Sequence, residues 1–214
     1  MVIQHTQATF TGLGLADVVL LRSETITGHD GFGAPMSDVR VVVVAGSRVI
    51  ANYGTPRRRS PKADRPGLYI DAYLDIADVT GNAVPEILFH SGFQAVSDST
   101  TYDHILSYNA ASHTFSDISR EEFYTSGTHG LRWTAVAGRS LLVTADRNWN
   151  PATPAEARCH YCASPFEYRA YMWNRASRSW VEERKVSGAK SYSEAYEALD
   201  GDWDLVRSGI VTSK

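Results

Sequence analysis

Tyr108-Asn109-Ala110-Ala111-Ser112-His113-Thr114-Phe115 recurs 65 residues later as Trp173-Asn174-Arg175-Ala176-Ser177-Arg178-Ser179-Trp180. Asn, Ala and Ser stand at the same places in both copies, and an aromatic residue opens and closes each. An aromatic-ended run, a polar turn and an aromatic-started run is the pattern of two strands joined by a tight turn. A third strand–turn–strand of similar outline, VVVVAGSRVIANY, centres on Ala45-Gly46-Ser47.

Outward from these hairpins the chain continues as short β-rich runs. DVVLL (17–21), VRVVVV (39–44), EILFH (86–90), HILSY (104–108), SLLVTA (140–145) and YRAYMW (168–173) are filled by branched and aromatic residues. Gly, Asn, Ser, Asp and Pro punctuate them. Helical spacing is weak, and its best stretch is Ser191–Leu199, with Ser193 as N-cap and Asp200-Gly201 as terminator. The expected class is therefore all-β, with antiparallel sheets and little helix.

A second element also repeats. Thr11-Gly12-Leu13-Gly14-Leu15-Ala16-Asp17 returns as Thr80-Gly81-Asn82-Ala83-Val84-Pro85-Glu86, and in reduced form as Ala137-Gly138-Arg139-Ser140, each running into an apolar strand. Copies lie 57 to 69 residues apart. A unit of that size holds up to four strands, which is the size of a propeller blade. The expected organisation is one β domain of about three repeats, near 8–70, 71–130 and 131–186, plus a C-terminal segment 187–214. Within that segment DWDLVRSGIVTSK is expected to return as a closing strand.

Asp78-Val79-Thr80-Gly81-Asn82-Ala83-Val84-Pro85-Glu86 followed by Ile87-Leu88 resembles the calcium loop of FG-GAP/VCBS repeats, the blades of integrin-type β-propellers. The resemblance implies small propeller-like blades and calcium held by Asp78, Thr80, Asn82 and Glu86, with the Val84 carbonyl completing an oxygen set of the kind this ion takes. The chain departs from that pattern at Ala83, where the family has Gly, and at Asn82, where Asp is usual. The first copy keeps only Asp17 and Gly14, and the third keeps no carboxylate. A metal-free turn before a strand is the competing reading of the same residues.

Other constellations carry chemistry of their own. Cys159-His160-Tyr161-Cys162, among Pro151, Pro154 and Pro165, reads as a loop-stapling disulfide, half a zinc site or a thiol pair. His90 and His129 stand at strand–loop junctions, and Asp103-His104 follows His90 in the same repeat. These four residues are the candidates for acid–base catalysis. Arg57 and Arg58, in a loop running from Pro56 to Gly67 with five cationic residues, could grip an anionic group. Trp149, entering a proline-rich loop, is the candidate platform for a sugar or peptide.

The 214 residues carry 21 Lys+Arg against 24 Asp+Glu, a net charge of −3, which argues against a general nucleic-acid binder. There is no run of 18 apolar residues, so no membrane insertion is expected. The first ten residues lack the charged and apolar regions of a secretory signal, which leaves both a mature secreted or cell-surface form and a cytoplasmic one open. No nucleophile elbow, phosphate-binding loop, dinucleotide fingerprint or HExxH is present. Two functions follow as expectations. One is a module that binds a protein or glycan through its loops, with calcium as a stabiliser and a homo-oligomer as its assembly. The other is an enzyme using loop His and Asp side chains on a small or sugar-like substrate.

Overall fold

The computed structural model describes residues 1–26, 28–29, 33, 35–54, 71–94, 99–120, 123–136, 138–150, 152–154 and 158–211. Over the described residues it is all-β, with two short helices. The six apolar runs named above all lie inside strands.

The first sheet contains β1 (Val2–Phe10), β2 (Gly14–Arg22), β5 (Val39–Ala45) and β6 (Arg48–Gly54), in the order β1-β2-β5-β6. A small hairpin of β3 (Gly28–His29) and β4 (Pro35–Met36) is inserted between β2 and β5. The next four strands are β7 (Asp71–Ala77), β8 (Glu86–Gln94), β9 (Ser99–Asn109) and β10 (Thr114–Asp117), ordered β10-β9-β8-β7. A short β11 (Tyr124–Ser126) precedes the last sheet, β12 (His129–Val136), β13 (Arg139–Arg147), β14 (Ser164–Asn174) and β15 (Ser179–Tyr192), paired in chain order. Neighbouring strands in all three are antiparallel.

The repeats seen in the sequence fall at equivalent connections. Gly12, Gly81 and Gly138 sit between the first and second strands of their sheets, at φ of 83°, 69° and 76°. Only glycine enters that left-handed region without a steric penalty, which is why the residue recurs. The Tyr108 and Trp173 hairpins join third to fourth strands. In each, the Asn side chain closes the turn. Asn109 Oδ1 accepts the N–H of Ala111 (2.9 Å) and Ser112 (3.3 Å), and Asn174 Oδ1 accepts that of Ala176 (2.9 Å) and Ser177 (3.1 Å). His113 and Arg178 then take matching positive φ, 53° and 50°.

Two compact units result, residues 1–78 with 82–119, and residues 79–81 with 120–214. In the first, alternate residues of β2 and β5 (Ala16, Val18, Leu20; Val39, Val41, Val43) share a core with Leu74, Ile87, Phe89, Leu106 and Tyr108 of the β7–β10 strands. In the second, Leu141, Val143, Ala145, Phe166, Tyr168 and Ala170 line one face of the sheet. This face is covered by α1 (Ala195–Gly201) and α2 (Trp203–Val211). Gly130 permits that approach, since a Cβ there would lie 2.9 Å from Leu199 and 3.1 Å from Ala195.

The C-terminal segment differs from the sequence reading. Trp203–Val211 is a helix, and no returning strand forms there. Ala195, Ala198 and Leu199 are buried at spacings of three and four residues on one face of α1, and Val206 of α2 is buried with them. The first helix also begins later than expected, with Glu194 as N-cap, because Ser191 and Tyr192 are paired to Pro165 and Ser164 at the end of β15. Among the described residues, no helix is long and apolar enough to cross a membrane.

Candidate functional site

His90, Asp103 and His104 belong to the first unit and His129 to the second. Asp103 and His104 are consecutive on β9 and so point to opposite faces. Asp103 is the register partner of His90, and its carboxylate is hydrogen-bonded to His90 Nδ1. Both side chains are buried, Tyr73 stacks on the imidazole (4.1 Å, 18°), and Asp75 Oδ2 lies 3.7 Å from Nε2. This histidine is held between two carboxylates.

His104 pairs instead with Asp117, Nδ1 to Oδ2 at 2.8 Å, and Tyr53 donates its hydroxyl to the same oxygen at 2.5 Å. Burial alone would raise the Asp117 carboxyl. The hydrogen bonds from His104, Tyr53 and Ser119 outweigh that effect and hold it far below the usual carboxylate range.

The second unit repeats the His–Asp pair in a different setting. His129 on β12 and Asp146 on β13 are register partners, with Nδ1 2.5 Å from Oδ1. Tyr124 lies flat on the imidazole (4.0 Å, 16°). A carboxylate only accepts, so Nδ1 carries the proton, and in the neutral ring Nε2 keeps its lone pair. His129 is 3% exposed.

The dyad lies in the wall of a pocket of about 510 Å³. The pocket opens on the sheet face opposite the helices, where Thr144, Asp146, Glu167, Arg169 and Tyr171 project by strand alternation. Tyr124 and Trp149 add aromatic wall. Among the described residues, His129 Nε2 and Thr144 Oγ1 are buried without a hydrogen-bond partner, as is His90 Nε2 in the first unit. Buried polar atoms are nearly always paired, and leaving one unpaired costs about 1–3 kcal/mol. Asp146 and Glu167 are themselves register partners, which brings two carboxylates side by side. Burial would raise Glu167, but Lys185 at 2.5 Å and Arg169 at 2.7 Å hold it down.

Two residues singled out from sequence, His129 and Trp149, thus share one pocket. The rest of its wall was not anticipated. A usable signal existed. If the β12–β13 turn is centred on Ala137-Gly138, His129 falls opposite Asp146 by counting along the two strands.

The Asp78 loop is closed by its own backbone. Asp78 Oδ1 accepts the Asn82 N–H (3.0 Å), Oδ2 accepts that of Ala83 (2.8 Å), and Asn82 Oδ1 accepts that of Val84 (2.7 Å). Thr80 and Glu86 are buried, and Ser107 donates to Glu86 Oε1 at 3.3 Å. Among the described residues, no three His, Cys, Asp or Glu side chains converge to hold a metal ion. Cys159 and Cys162 are joined in a disulfide. Arg57 and Arg58 lie outside the described residues.

No family model matches the chain, and no curated protein matches it. Among solved structures, the crystal structure of CarG aligns with a TM-score of 0.44 and 12% identity, over 61% of this chain and 91% of that one, a likeness too loose to carry an argument.

Proposed function

We propose that the chain is a binding module of blade-like sheets, akin to FG-GAP/VCBS repeats, and that its second unit takes a glycan in the pocket beside His129. The observation that carries this reading is the pocket itself, whose wall sets the polar side chains of His129, Thr144, Asp146 and Glu167 beside the rings of Tyr124, Trp149 and Tyr171. A sugar offers hydroxyls to polar atoms and C–H faces to rings. The pocket volume is that of sites for small ligands.

The orientation of His129 by Asp146 supports a second reading, an enzyme in which Nε2 takes a proton from the bound sugar or from water. One experiment separates the two. An oligosaccharide array identifies a ligand, the ligand is titrated by tryptophan fluorescence, and the recovered sugar is weighed by mass spectrometry. Binding lost in Trp149→Ala with the sugar returned intact supports the module. A cleaved sugar moves the reading to the enzyme. An array with no ligand overturns both.

A further inference from the structure

We infer that the Cys159–Cys162 disulfide is a redox-active pair which exchanges with thiols while the protein stays folded, and that its state sets the hold on Trp149. All four residues from Cys159 to Cys162 are exposed, so a thiolate can reach the sulfurs. The bridge spans a separation of only three residues. The entropy a disulfide removes from the unfolded chain grows with the loop it closes, so this one is a weak staple. The segment is also anchored without it. Arg147 donates from its guanidinium to the carbonyls of Cys162 and Ser193, and the Asn148 N–H donates to the Pro165 carbonyl at 2.9 Å.

The surroundings suit exchange. Arg147 holds its cation at the backbone carbonyl of Cys162, and Arg158 adjoins Cys159 in the chain. Nearby cations favour the thiolate, which is both the attacking and the leaving species. The loop also grips the pocket wall. The His160 ring meets Trp149 edge-on at 5.5 Å, and the Arg158 guanidinium lies 5.6 Å over the same indole. One of these residues is inside the disulfide ring and the other immediately precedes it.

In the exchange, the thiolate of a small-molecule or protein dithiol attacks one sulfur, the S–S bond breaks, and the other sulfur leaves as a thiolate and takes a proton. The donor's second thiolate then displaces the first cysteine. The protein gains two electrons and two protons, and the donor becomes a disulfide. The redox step stands without the glycan reading, but any effect on glycan affinity rests on it.

The test treats the native protein with dithiothreitol in the absence of denaturant, traps thiols with iodoacetamide and weighs the intact chain. Two alkyl groups with unchanged far-UV circular dichroism are expected. Acrylamide quenching of tryptophan emission should rise at least twofold, a rise missing from Trp149→Phe and reproduced without reductant by Cys159→Ser/Cys162→Ser. Alkylation only after unfolding overturns the proposal, as does alkylation that leaves quenching unchanged. A failed glycan titration in both redox forms bears on the pocket alone.

Discussion

His129 and Asp146 face each other across β12 and β13 with Nδ1 2.5 Å from Oδ1, and the same cross-strand pairing joins His90 to Asp103. The two pairs sit in different settings. His90 Nε2 looks toward the Asp75 carboxylate at 3.7 Å, whereas His129 Nε2 lies in a pocket wall. Among the described residues neither Nε2 has a hydrogen-bond partner, and the dyads differ in that His129 and Asp146 line a pocket.

Removing the charge should have unequal consequences in the two places, because Asp146 is partly exposed and Asp103 is buried. Asp146 is 40% exposed, so Asp146→Asn should change unfolding free energy by no more than about 0.5 kcal/mol. It should still lower glycan affinity about tenfold, or about 1.4 kcal/mol, by freeing the His129 ring. Asp103 is buried, and Asp103→Asn should cost about 3 kcal/mol of stability. Urea unfolding of both variants checks the ranking, and a larger loss for Asp146→Asn would refute it.

Asp117 makes acid stability a local question. Its carboxyl titrates lower in the folded chain than the roughly 3.9 of an unfolded one. The stabilisation is therefore full above about pH 4 and is lost as pH falls toward the folded value. Tyr53→Phe deletes one of the hydrogen bonds responsible. Stability measured by urea between about pH 4 and pH 2 should fall less steeply in that variant than in the parent. Equal slopes would remove Asp117 from the account of acid unfolding.

Much of the sheet was legible because turns are local chemistry. Asn109 and Asn174 close their turns with their own side chains, and Gly12, Gly81 and Gly138 mark backbone that needs positive φ. The C-terminus was less legible. Ser191 and Tyr192 read as the start of a helix, yet they pair with Pro165 and Ser164, and tertiary pairing overrode the local signal. The site was legible in part. His129 and Trp149 stand out as junction residues, but Asp146, Thr144, Glu167 and Tyr171 become neighbours only through register. A one-residue slip would turn each of them to the other face.

Asp202 ties the helices to the sheet. It is buried and accepts the hydroxyls of Tyr168 at 3.0 Å and Tyr192 at 2.8 Å. Asp202→Ala removes the acceptor of Tyr192 and leaves Tyr168 the Ala198 carbonyl at 3.0 Å, and should cost about 1–3 kcal/mol, seen as a lower denaturant midpoint. Tyr192 adds an alkaline signature. Burial, and then the Asp202 bond and charge, push its hydroxyl up to about 12. A raised folded value means the contribution is intact below the unfolded value of about 10 and is lost as pH rises toward 12. Tyr192→Phe should lose less stability across that interval than the parent. An identical loss would place the alkaline transition elsewhere.

The Asp78 loop separates a turn from a metal site. Two backbone N–H groups depend on the Asp78 carboxylate, so Asp78→Ala should cost about 1–2 kcal/mol. Ala83 sits at φ 64°, a left-handed conformation that burdens any residue with a Cβ. Ala83→Gly should therefore stabilise the chain by up to about 1 kcal/mol. Calcium bound at the loop would raise Tm over that in chelator, by a margin that Asp78→Asn would erase. Hydrogen bonds alone give the same Tm in both buffers. The Asp78 and Asn82 oxygens each accept one N–H of the loop and keep a further lone pair, so equal Tm in the two buffers would leave the loop a turn. A calcium-dependent rise would make these same oxygens ligands and return the loop to the FG-GAP/VCBS pattern.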